Sequence, residues 1–281
     1  MRRSLLAVLA VAVGAALWFA APASAITNGQ PDGNRHPYVG LEDNGVFACT
    51  GTLISPTVVV TAAHCFSDSQ STYGTDPDGN PIVRITFDPR GFTVPDAQRQ
   101  SFRGSYFFDP QFCSGCGHGL VGFDTHDVAV IILDTPVPSS VTSTYGALPT
   151  PGLADTLANG TGVTSVGYGA QNFAVGGGPC DGPCKPRVND IFTRFFAPSQ
   201  LVPSNNRISP EFLKLSANPG QGQGGTCFGD SGGPNFLGDT RTVLGVNSFV
   251  TNGRCNGVTY SFRIDTPEAL SFIHDTIAAH A

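Results

Sequence analysis

Short apolar segments rich in β-branched residues, separated by turn-forming residues, dominate the hydrophobic pattern of the chain. Clear examples lie at residues 57–61, 127–133 and 242–246. Apolar runs of this length bounded by Gly, Pro, Asn or Ser are typical of buried β-strands. The pattern therefore predicts a protein built mainly from short strands.

The C-terminal residues follow a helical pattern instead. Thr266 can cap a helix and Pro267 suits its first position, while Leu270, Ile273 and Ile277 recur at the spacing of one helix face. We expect one helix here, docked against the core by that face.

The first 25 residues have a composition of their own. Arg2 and Arg3 precede a long apolar run that closes on Ala23-Ser24-Ala25. This order is that of a signal peptide. A retained membrane anchor is the alternative, but the small residues of a cleavage site and the lack of a stop-transfer pattern favour a cleaved signal. We therefore expect residues 1–25 to be removed and residues 26–281 to form the mature, secreted chain.

Composition supports the strand prediction and excludes some partners. The chain has 35 Gly and 22 Pro, and 13% of its residues are charged. Its length fits one domain or two. The formal net charge of −6 becomes more negative when Arg2 and Arg3 leave with the signal, and no basic run remains. Binding to nucleic acid or to a membrane surface is therefore disfavoured.

Eight cysteines follow the predicted signal peptide. An even number in an exported chain favours disulfides, although four thiolates can also hold zinc tetrahedrally. The sequence alone leaves the pairing open.

Two segments carry residues suited to acyl transfer. Residues 61–65 read TAAHC directly after a predicted strand, and residues 229–234 read GDSGGP within a turn-rich region. A serine hydroxyl is a poor nucleophile at neutral pH and needs a base, for which histidine is suited. The histidine in turn needs a carboxylate that fixes its tautomer, and Asp127 opens a predicted strand.

Together these segments resemble the histidine and serine motifs of the chymotrypsin/trypsin-like serine proteases, and the resemblance extends over essentially the whole mature chain. It implies an all-β fold of two six-stranded antiparallel β-barrels, with the active site between them and a C-terminal α-helix. It also implies a serine endopeptidase with His64 as base, Asp127 as its orienting acid and Ser231 as nucleophile. The chain order of the three residues matches this family.

The resemblance assigns further roles near the nucleophile. The amides of Gly229 and Ser231 would form the oxyanion hole. The buried Asp230 would pair with a new N-terminal ammonium at Ile26, which directly follows the predicted signal cleavage site. Signal cleavage would then activate the enzyme with no stored precursor. Ser248 would hydrogen-bond the buried Asp127.

The resemblance also implies disulfide pairs and a substrate preference. It implies Cys49–Cys65 and Cys227–Cys255, whereas four cysteines depart from the common pattern: Cys113, Cys116, Cys180 and Cys184. Local pairs, Cys113 with Cys116 and Cys180 with Cys184, are our first interpretation, and pairing between the two loops is the alternative.

In the expected specificity pocket, Gly225 occupies the floor, where trypsin-like enzymes carry an aspartate. Val250 and Val258 occupy the walls. We therefore expect cleavage after small or medium apolar residues rather than after Lys or Arg.

No metal or cofactor is expected. Asp76, Asp78 and Asn80 alternate as calcium ligands can, yet the stretch Asp-Pro-Asp-Gly-Asn also favours a plain turn. Expected partners are protein or peptide substrates and protein inhibitors, and we expect a monomer. Two alternatives remain: a binding protein on a protease scaffold, and an esterase using the same site.

Overall fold

The computed structural model describes residues 26, 28–116, 124–169, 192–202, 209–251, 255 and 257–281. The predicted signal peptide, residues 1–25, and the cysteines Cys180 and Cys184 lie outside these ranges. Within them, the structure has no helix with the length and hydropathy of a membrane-spanning segment.

The first half of the chain forms a closed six-stranded antiparallel barrel, in which the strands follow the order β2-β3-β4-β7-β6-β5. A short strand β1 precedes the barrel. The strands are β1 (Gln30–Pro31), β2 (Val39–Asp43), β3 (Ala48–Ser55), β4 (Val58–Thr61), β5 (Ile82–Thr86), β6 (Phe102–Phe108) and β7 (Ala129–Leu133).

The second half closes a second six-stranded antiparallel barrel in the order β8-β9-β10-β13-β12-β11, with β1 added outside β9. Its strands are β8 (Gly162–Gly167), β9 (Phe195–Leu201), β10 (Phe212–Ala217), β11 (Pro234–Leu237), β12 (Val243–Val250) and β13 (Gly257–Arg263). The predicted two-barrel fold is confirmed.

The only α-helix of the described chain, α1 (Pro267–His280), packs against β7. Thr266 accepts a hydrogen bond from the Ala269 amide at 3.2 Å, and Leu270 and Ile273 are buried. The predicted C-terminal helix is confirmed. Short 3-10 helices lie at Ala63–Cys65, Gly91–Thr93, Asp96–Gln98, Leu153–Thr156 and Pro219–Gln221.

One cluster of buried hydrophobic residues includes strands of both barrels, from Val39 on β2 to Phe262 on β13. At the junction, the ring of Phe236 from β11 lies between His36, stacked at 5.5 Å, and Tyr38, edge-on at 5.7 Å between centroids. The packing of the two barrels fixes the groove in which the candidate site lies.

A fully buried arginine also joins the barrels. Arg194, just before β9, donates to the Asp32 carboxylate at 2.8 Å and to the carbonyls of Val39 and Phe87, at 2.8 and 3.1 Å. It donates further to the hydroxyl of Tyr168 at 3.1 Å. A single side chain thus connects the N-terminal segment, the first barrel and the residue after β8.

Candidate active site

The pairing of β4 with β7 brings the candidate histidine to the candidate aspartate. The strands are antiparallel, and Thr61 lies opposite Ala129. The residues that follow Thr61 therefore run beside those that precede Ala129. His64, in the 3-10 helix after β4, meets Asp127, just before β7.

The Asp127 carboxylate is fully buried and receives three hydrogen bonds. The backbone amide of His64 donates to Oδ1 at 2.9 Å, while His64 Nδ1 and the Ser248 hydroxyl donate to Oδ2 at 2.8 and 2.5 Å. Burial alone would raise the pKa of Asp127, but the charge of His64 and these bonds outweigh it and lower the pKa. Asp127 is therefore ionised at neutral pH, and Nδ1 of His64 carries the proton between them.

The pairing of β11 with β12 places the candidate nucleophile beside Ser248. Pro234 lies opposite Val246, so the residues before Pro234 run beside those after Val246. The Gly232 amide accordingly donates to the Asn247 carbonyl at 2.8 Å. Ser231 and Ser248 are thus neighbours on the second barrel.

Gly232 brings the nucleophile segment against the histidine segment of the other barrel. Its φ is +76°. A Cβ there would lie 2.5 Å from the Thr50 carbonyl oxygen and 2.9 Å from the Ala62 nitrogen, so only glycine fits. The backbone next to Ser231 therefore packs against Ala62, two residues before His64.

Thr50 on β3 holds the nucleophile loop from both sides. Its hydroxyl donates to the Gly229 carbonyl at 2.8 Å, and its amide donates to the Ser231 carbonyl at 2.8 Å. The same hydroxyl accepts from the Tyr168 amide at 3.1 Å. Gly229 has a φ of +97°, a conformation that favours glycine. The peptide groups that follow Gly229 and Ser231 are thereby fixed.

A network of buried asparagine side chains holds the loop that carries Asp230 and Ser231. Asn247 donates from Nδ2 to the Asp230 carbonyl at 2.9 Å. Its Oδ1 accepts from Asn235 Nδ2 at 2.6 Å, and Asn235 Oδ1 accepts from Ser165 at 2.7 Å. All the side chains that take part in this hydrogen-bond network are buried, which makes the network rigid.

Asp230 is fully buried and is held by backbone amides. Gly169 donates to Oδ1 at 2.7 Å and Cys227 to Oδ2 at 2.8 Å. Burial raises the pKa of Asp230 to about 7 despite these bonds. Ile26 is buried against Phe195 and Ala197, and it is not among the described donors to the carboxylate. In this chain its nitrogen is a peptide nitrogen.

The residues expected in the specificity pocket lie at the ends of β12 and β13. Val250 pairs with Thr259, the neighbour of Val258, and both valines are half-buried. Gly225 is buried two residues before Cys227, which forms a disulfide with Cys255. The two valines therefore lie on neighbouring strands, one register position apart.

The structure contains two further disulfides, Cys49–Cys65 and Cys113–Cys116. The first ties β3 to the residue after His64. The second closes a loop that pairs with the segment before Asp127, because Cys113 and Thr125 exchange two backbone hydrogen bonds, each 3.3 Å long.

Two groups in the described chain have side chains of metal-binding type, and in each group two of the three residues are bonded to each other. In one, Glu42 lies beside Cys49 and Cys65, whose sulfurs form a disulfide. In the other, His64 and Asp127 are hydrogen-bonded to each other, with Asp124 beside them. We assign neither to a metal.

The Asp76 carboxylate is likewise occupied by its own turn. It accepts from the amides of Asp78 and Asn80 at 3.0 and 2.8 Å, and from Asn80 Nδ2 at 2.9 Å.

The sequence did not single out several residues that shape the site: Thr50, Asp124, Asn235 and Asn247. Thr50 directly follows Cys49, and Asp124 lies three residues before Asp127. A polar residue close to a motif was the available signal for both. The two asparagines carry no motif.

Comparisons with known proteins agree with this geometry. The Trypsin family model matches residues 26–273. The thrombin-like enzyme kangshuanmei of Gloydius brevicauda is 29% identical over 189 residues, 67% of this chain and 68% of the relative. The brachyurin of Leptuca pugilator is 27% identical over 216 residues, 75% of this chain and 79% of the relative.

Solved structures show the same fold. HL collagenase has a TM-score of 0.66 at 18% identity, over 89% of this chain and 98% of that chain. Human heparin binding protein has a TM-score of 0.59 at 19% identity, over 90% of this chain and 96% of that chain. With the family model spanning nearly the whole of the chain after residue 25, the protein belongs to the trypsin family.

Proposed function

We propose that the protein is a secreted serine endopeptidase that cleaves peptide bonds through an acyl-enzyme on Ser231. Membership of the trypsin family supports a peptidase function. The observation that carries the finer proposal is the pair formed by His64 and Asp127, with Nδ1 2.8 Å from a buried, ionised carboxylate. A histidine held in this tautomer presents Nε2 as a base.

The proposed reaction follows from this arrangement. Ser231 Oγ attacks the peptide carbonyl carbon while its proton passes to His64 Nε2. The tetrahedral intermediate collapses as His64 returns the proton to the leaving amine, so the C–N bond breaks and an ester to Ser231 remains. Water, deprotonated by His64, then hydrolyses that ester and restores the serine. Asp127 stays ionised and stabilises the imidazolium in each half-reaction.

The amides of Gly229 and Ser231 are proposed to bind the oxyanion. Thr50 binds the carbonyls of these same two residues, and this fixes the orientation of the loop before substrate arrives. Preorganised donors of this kind are worth about 3 kcal/mol of barrier each.

Activation is proposed to follow removal of residues 1–25. The new ammonium of Ile26 would pair with Asp230, whose pKa of about 7 leaves its charge poorly supported in the intact chain. N-terminal sequencing of the secreted enzyme should start at Ile26. The mature enzyme should also lack tryptophan fluorescence, because Trp18 is the single tryptophan of the sequence. A different first residue in a fully active enzyme would contradict this activation route.

Substrate preference is proposed to be for small or medium apolar residues on the acyl side of the cleaved bond. Gly225 at the floor of the expected specificity pocket offers no carboxylate to a substrate Lys or Arg side chain. The branched side chains of Val250 and Val258 are expected to narrow the same pocket. Peptide substrates that differ only in Ala, Val, Phe or Arg at that position test the proposal. Arg as the best substrate would overturn it.

One experiment tests the endopeptidase proposal itself. A serine-directed phosphonate should label the mature enzyme, and peptide mapping should place the label on Ser231. Casein hydrolysis should be lost in Ser231→Ala while its circular dichroism stays that of the wild type. Hydrolysis of a simple ester with no cleavage of casein would favour an esterase, and casein hydrolysis unaffected by Ser231→Ala would refute the proposal.

A further inference from the structure

A second carboxylate lies beside the candidate catalytic pair. A ring nitrogen of His64 and one carboxylate oxygen each of Asp124 and Asp127 all lie within 4.8 Å of one another. Asp124 belongs to the first barrel, three residues before Asp127, and its residue surface is 8% exposed. Asp124 takes no part in the proposed reaction.

The position of Asp124 is set by the loop of the Cys113–Cys116 disulfide. Cys113 and Thr125 exchange two backbone hydrogen bonds, which hold the segment in place. Within the loop, the Gly115 amide donates to Asp124 Oδ1 at 2.7 Å. The carboxylate is therefore held close to His64 by backbone geometry, and it does not depend on a flexible contact.

The hydrogen bond from the Gly115 amide does not explain why a charged side chain occupies position 124. Burial and the neighbouring Asp127 raise the pKa of Asp124, while bonds from Gly115 and Ser114 and the charge of His64 oppose the rise. An asparagine oxygen would accept from the Gly115 amide equally well and avoid the cost of burying a charge. Among the described groups whose charge acts on Asp124, His64 is the one that can become a cation.

We propose that Asp124 is a positioning residue that acts through His64, its carboxylate stabilising the protonated imidazole together with Asp127. The inference rests on the proposed function, since it matters for catalysis only if His64 takes up a proton during turnover. In this arrangement two carboxylates support the imidazolium: Asp127, hydrogen-bonded at Nδ1, and Asp124, with an oxygen within 4.8 Å of a ring nitrogen.

The direction of the effect follows from charge. A carboxylate within about 4–6 Å of an imidazole favours the protonated ring, so its removal lowers the pH at which the ring loses its proton. The ring is 14% exposed at its side chain, which weakens but does not remove the effect. Among the described residues, the other titratable groups acting on this cluster are Asp127 itself and the buried phenol of Tyr106, whose pKa the charge of Asp127 helps to raise, and the substitution at Asp124 leaves them in place.

Asp124→Asn is the decisive variant, because it keeps the acceptor for Gly115 and removes the charge. The acid limb of the pH profile of kcat/KM should move down by about one pH unit. The plateau should fall by about threefold to tenfold, because the imidazolium of the transition state loses support. Asp124→Glu should restore most of the wild-type limb. Asp239→Asn, which removes one charge from the exposed turn between β11 and β12, is the matched control and should leave the limb unchanged.

A second measurement does not need activity. In the Ser231→Ala background, an NMR titration of the His64 ring should show the same downward move when Asp124→Asn is added. If Asp124→Asn does not fold, Asp124→Ser takes its place, because it also keeps an acceptor oxygen.

The outcomes separate the two proposals. A lower plateau with an unmoved acid limb and an unmoved NMR titration would reduce Asp124 to a structural role and overturn the inference, while serine-dependent hydrolysis would still support the proposed function. Hydrolysis that survives Ser231→Ala would overturn the proposed function instead.

Discussion

At the scale of single residues, the hydrogen bonds at Asp127 decide its charge state. A fully buried carboxylate without donors would hold its proton at neutral pH. Here two donors come from His64 and one from Ser248 on the opposite barrel. The bond from Ser248 therefore crosses the cleft and makes the charge of Asp127 depend on how the barrels are docked.

Ser248→Ala should lower kcat/KM by about tenfold. The variant removes one donor to a buried charge, and such bonds are worth about 1.5–3 kcal/mol. The pKa of Asp127 should rise toward its ordinary value, so the loss should grow as the pH falls. Measurement of kcat/KM between pH 5 and 9 tests this, with Ser199→Ala as control, since the Ser199 hydroxyl bonds the Ser216 carbonyl away from the cleft. Equal profiles for the wild type and Ser248→Ala would contradict it.

Two threonines on β3 give opposite predictions for the same substitution. Thr50 and Thr52 are buried on one face of the strand. The Thr50 hydroxyl bonds both Gly229 and Tyr168, whereas among the described residues the Thr52 hydroxyl has no hydrogen-bond partner. One hydroxyl is thus part of the site, and the other is a buried polar atom that contributes nothing by bonding.

Thr50→Val should lower the free energy of unfolding by about 3 kcal/mol and should reduce kcat, because the Gly229 carbonyl and the Tyr168 amide lose their partner. Thr52→Val should leave the free energy of unfolding unchanged or raise it by up to about 1 kcal/mol, since valine has the same shape without the polar atom. Urea unfolding in the Ser231→Ala background measures both without self-digestion. Equal losses in the two variants would be incompatible with this account.

At the scale of elements, the strand pairings explain why part of the site could be predicted from sequence. His64, Asp127 and Ser231 each lie two or three residues beyond a strand end within a short motif, so local sequence marks them as candidates. Two antiparallel pairings, β4 with β7 and β11 with β12, then bring them to the cleft. The strand type and the C-terminal helix were readable for the same reason, because hydrophobic spacing is a local property.

The contacts that hold the elements together were not readable. Thr50 meets Gly229 across 179 residues, and Arg194 meets Asp32 across 162. A polar residue that finds its partner at such separations leaves no periodic pattern. From the sequence, Glu42 would be expected at the surface, because glutamate is rarely buried. In the structure it lies in β2, a strand that is buried along its whole length. The long-range contacts of Thr50 and Arg194 and the burial of Glu42 can be recognised only from the three-dimensional structure of the closed barrels.

The Asp32–Arg194 ion pair links the N-terminal segment to the second barrel, and both side chains are fully buried. Arg194→Met should lower the free energy of unfolding at pH 7 by about 3–5 kcal/mol, because it leaves a buried carboxylate without its main cation. The double variant with Asp32→Asn should recover part of this loss, which a double-mutant cycle by urea unfolding measures.

The surface pair Arg103–Asp134 is the matched control for this cycle. Its side chains are 53% and 42% exposed, and Arg103→Met should cost less than about 1 kcal/mol. The pKa of Asp32 is lowered because bonding to His36 and the charge of Arg194 outweigh its burial. The stability that the pair contributes is therefore present above the ordinary pKa of an aspartate and is lost as the pH falls through the lowered value. Similar losses for the buried and surface variants would contradict the assigned role.

At the scale of the whole molecule, Glu42 couples stability to pH. Its side chain is fully buried in the first barrel, one oxygen accepts from Thr61 at 2.5 Å, and within the described chain the other oxygen has no partner. Burial raises the pKa of Glu42 to about 8, the bond from Thr61 opposes the rise and the charge of Asp43 adds to it. The folded protein therefore keeps this proton at neutral pH.

The unfolded chain releases the same proton near pH 4.5, so between about pH 4.5 and 8 the folded state binds more protons than the unfolded state. The free energy of unfolding should fall as the pH rises through this window, by about 5 kcal/mol from Glu42. Asp230, with a pKa of about 7 in the intact chain, should contribute a fall in the same direction. Glu42→Gln cannot ionise and should remove the larger share, whatever it costs in absolute stability.

Urea unfolding at several pH values, in the Ser231→Ala background, gives the slope directly. Glu268→Gln in the exposed first turn of α1 removes a carboxylate without burial and should keep the wild-type slope. Because the comparison is between slopes, a loss of packing in Glu42→Gln shifts its curve without hiding the result. Parallel curves for the wild type and Glu42→Gln would mean that Glu42 is already ionised in the folded protein, and would contradict this prediction.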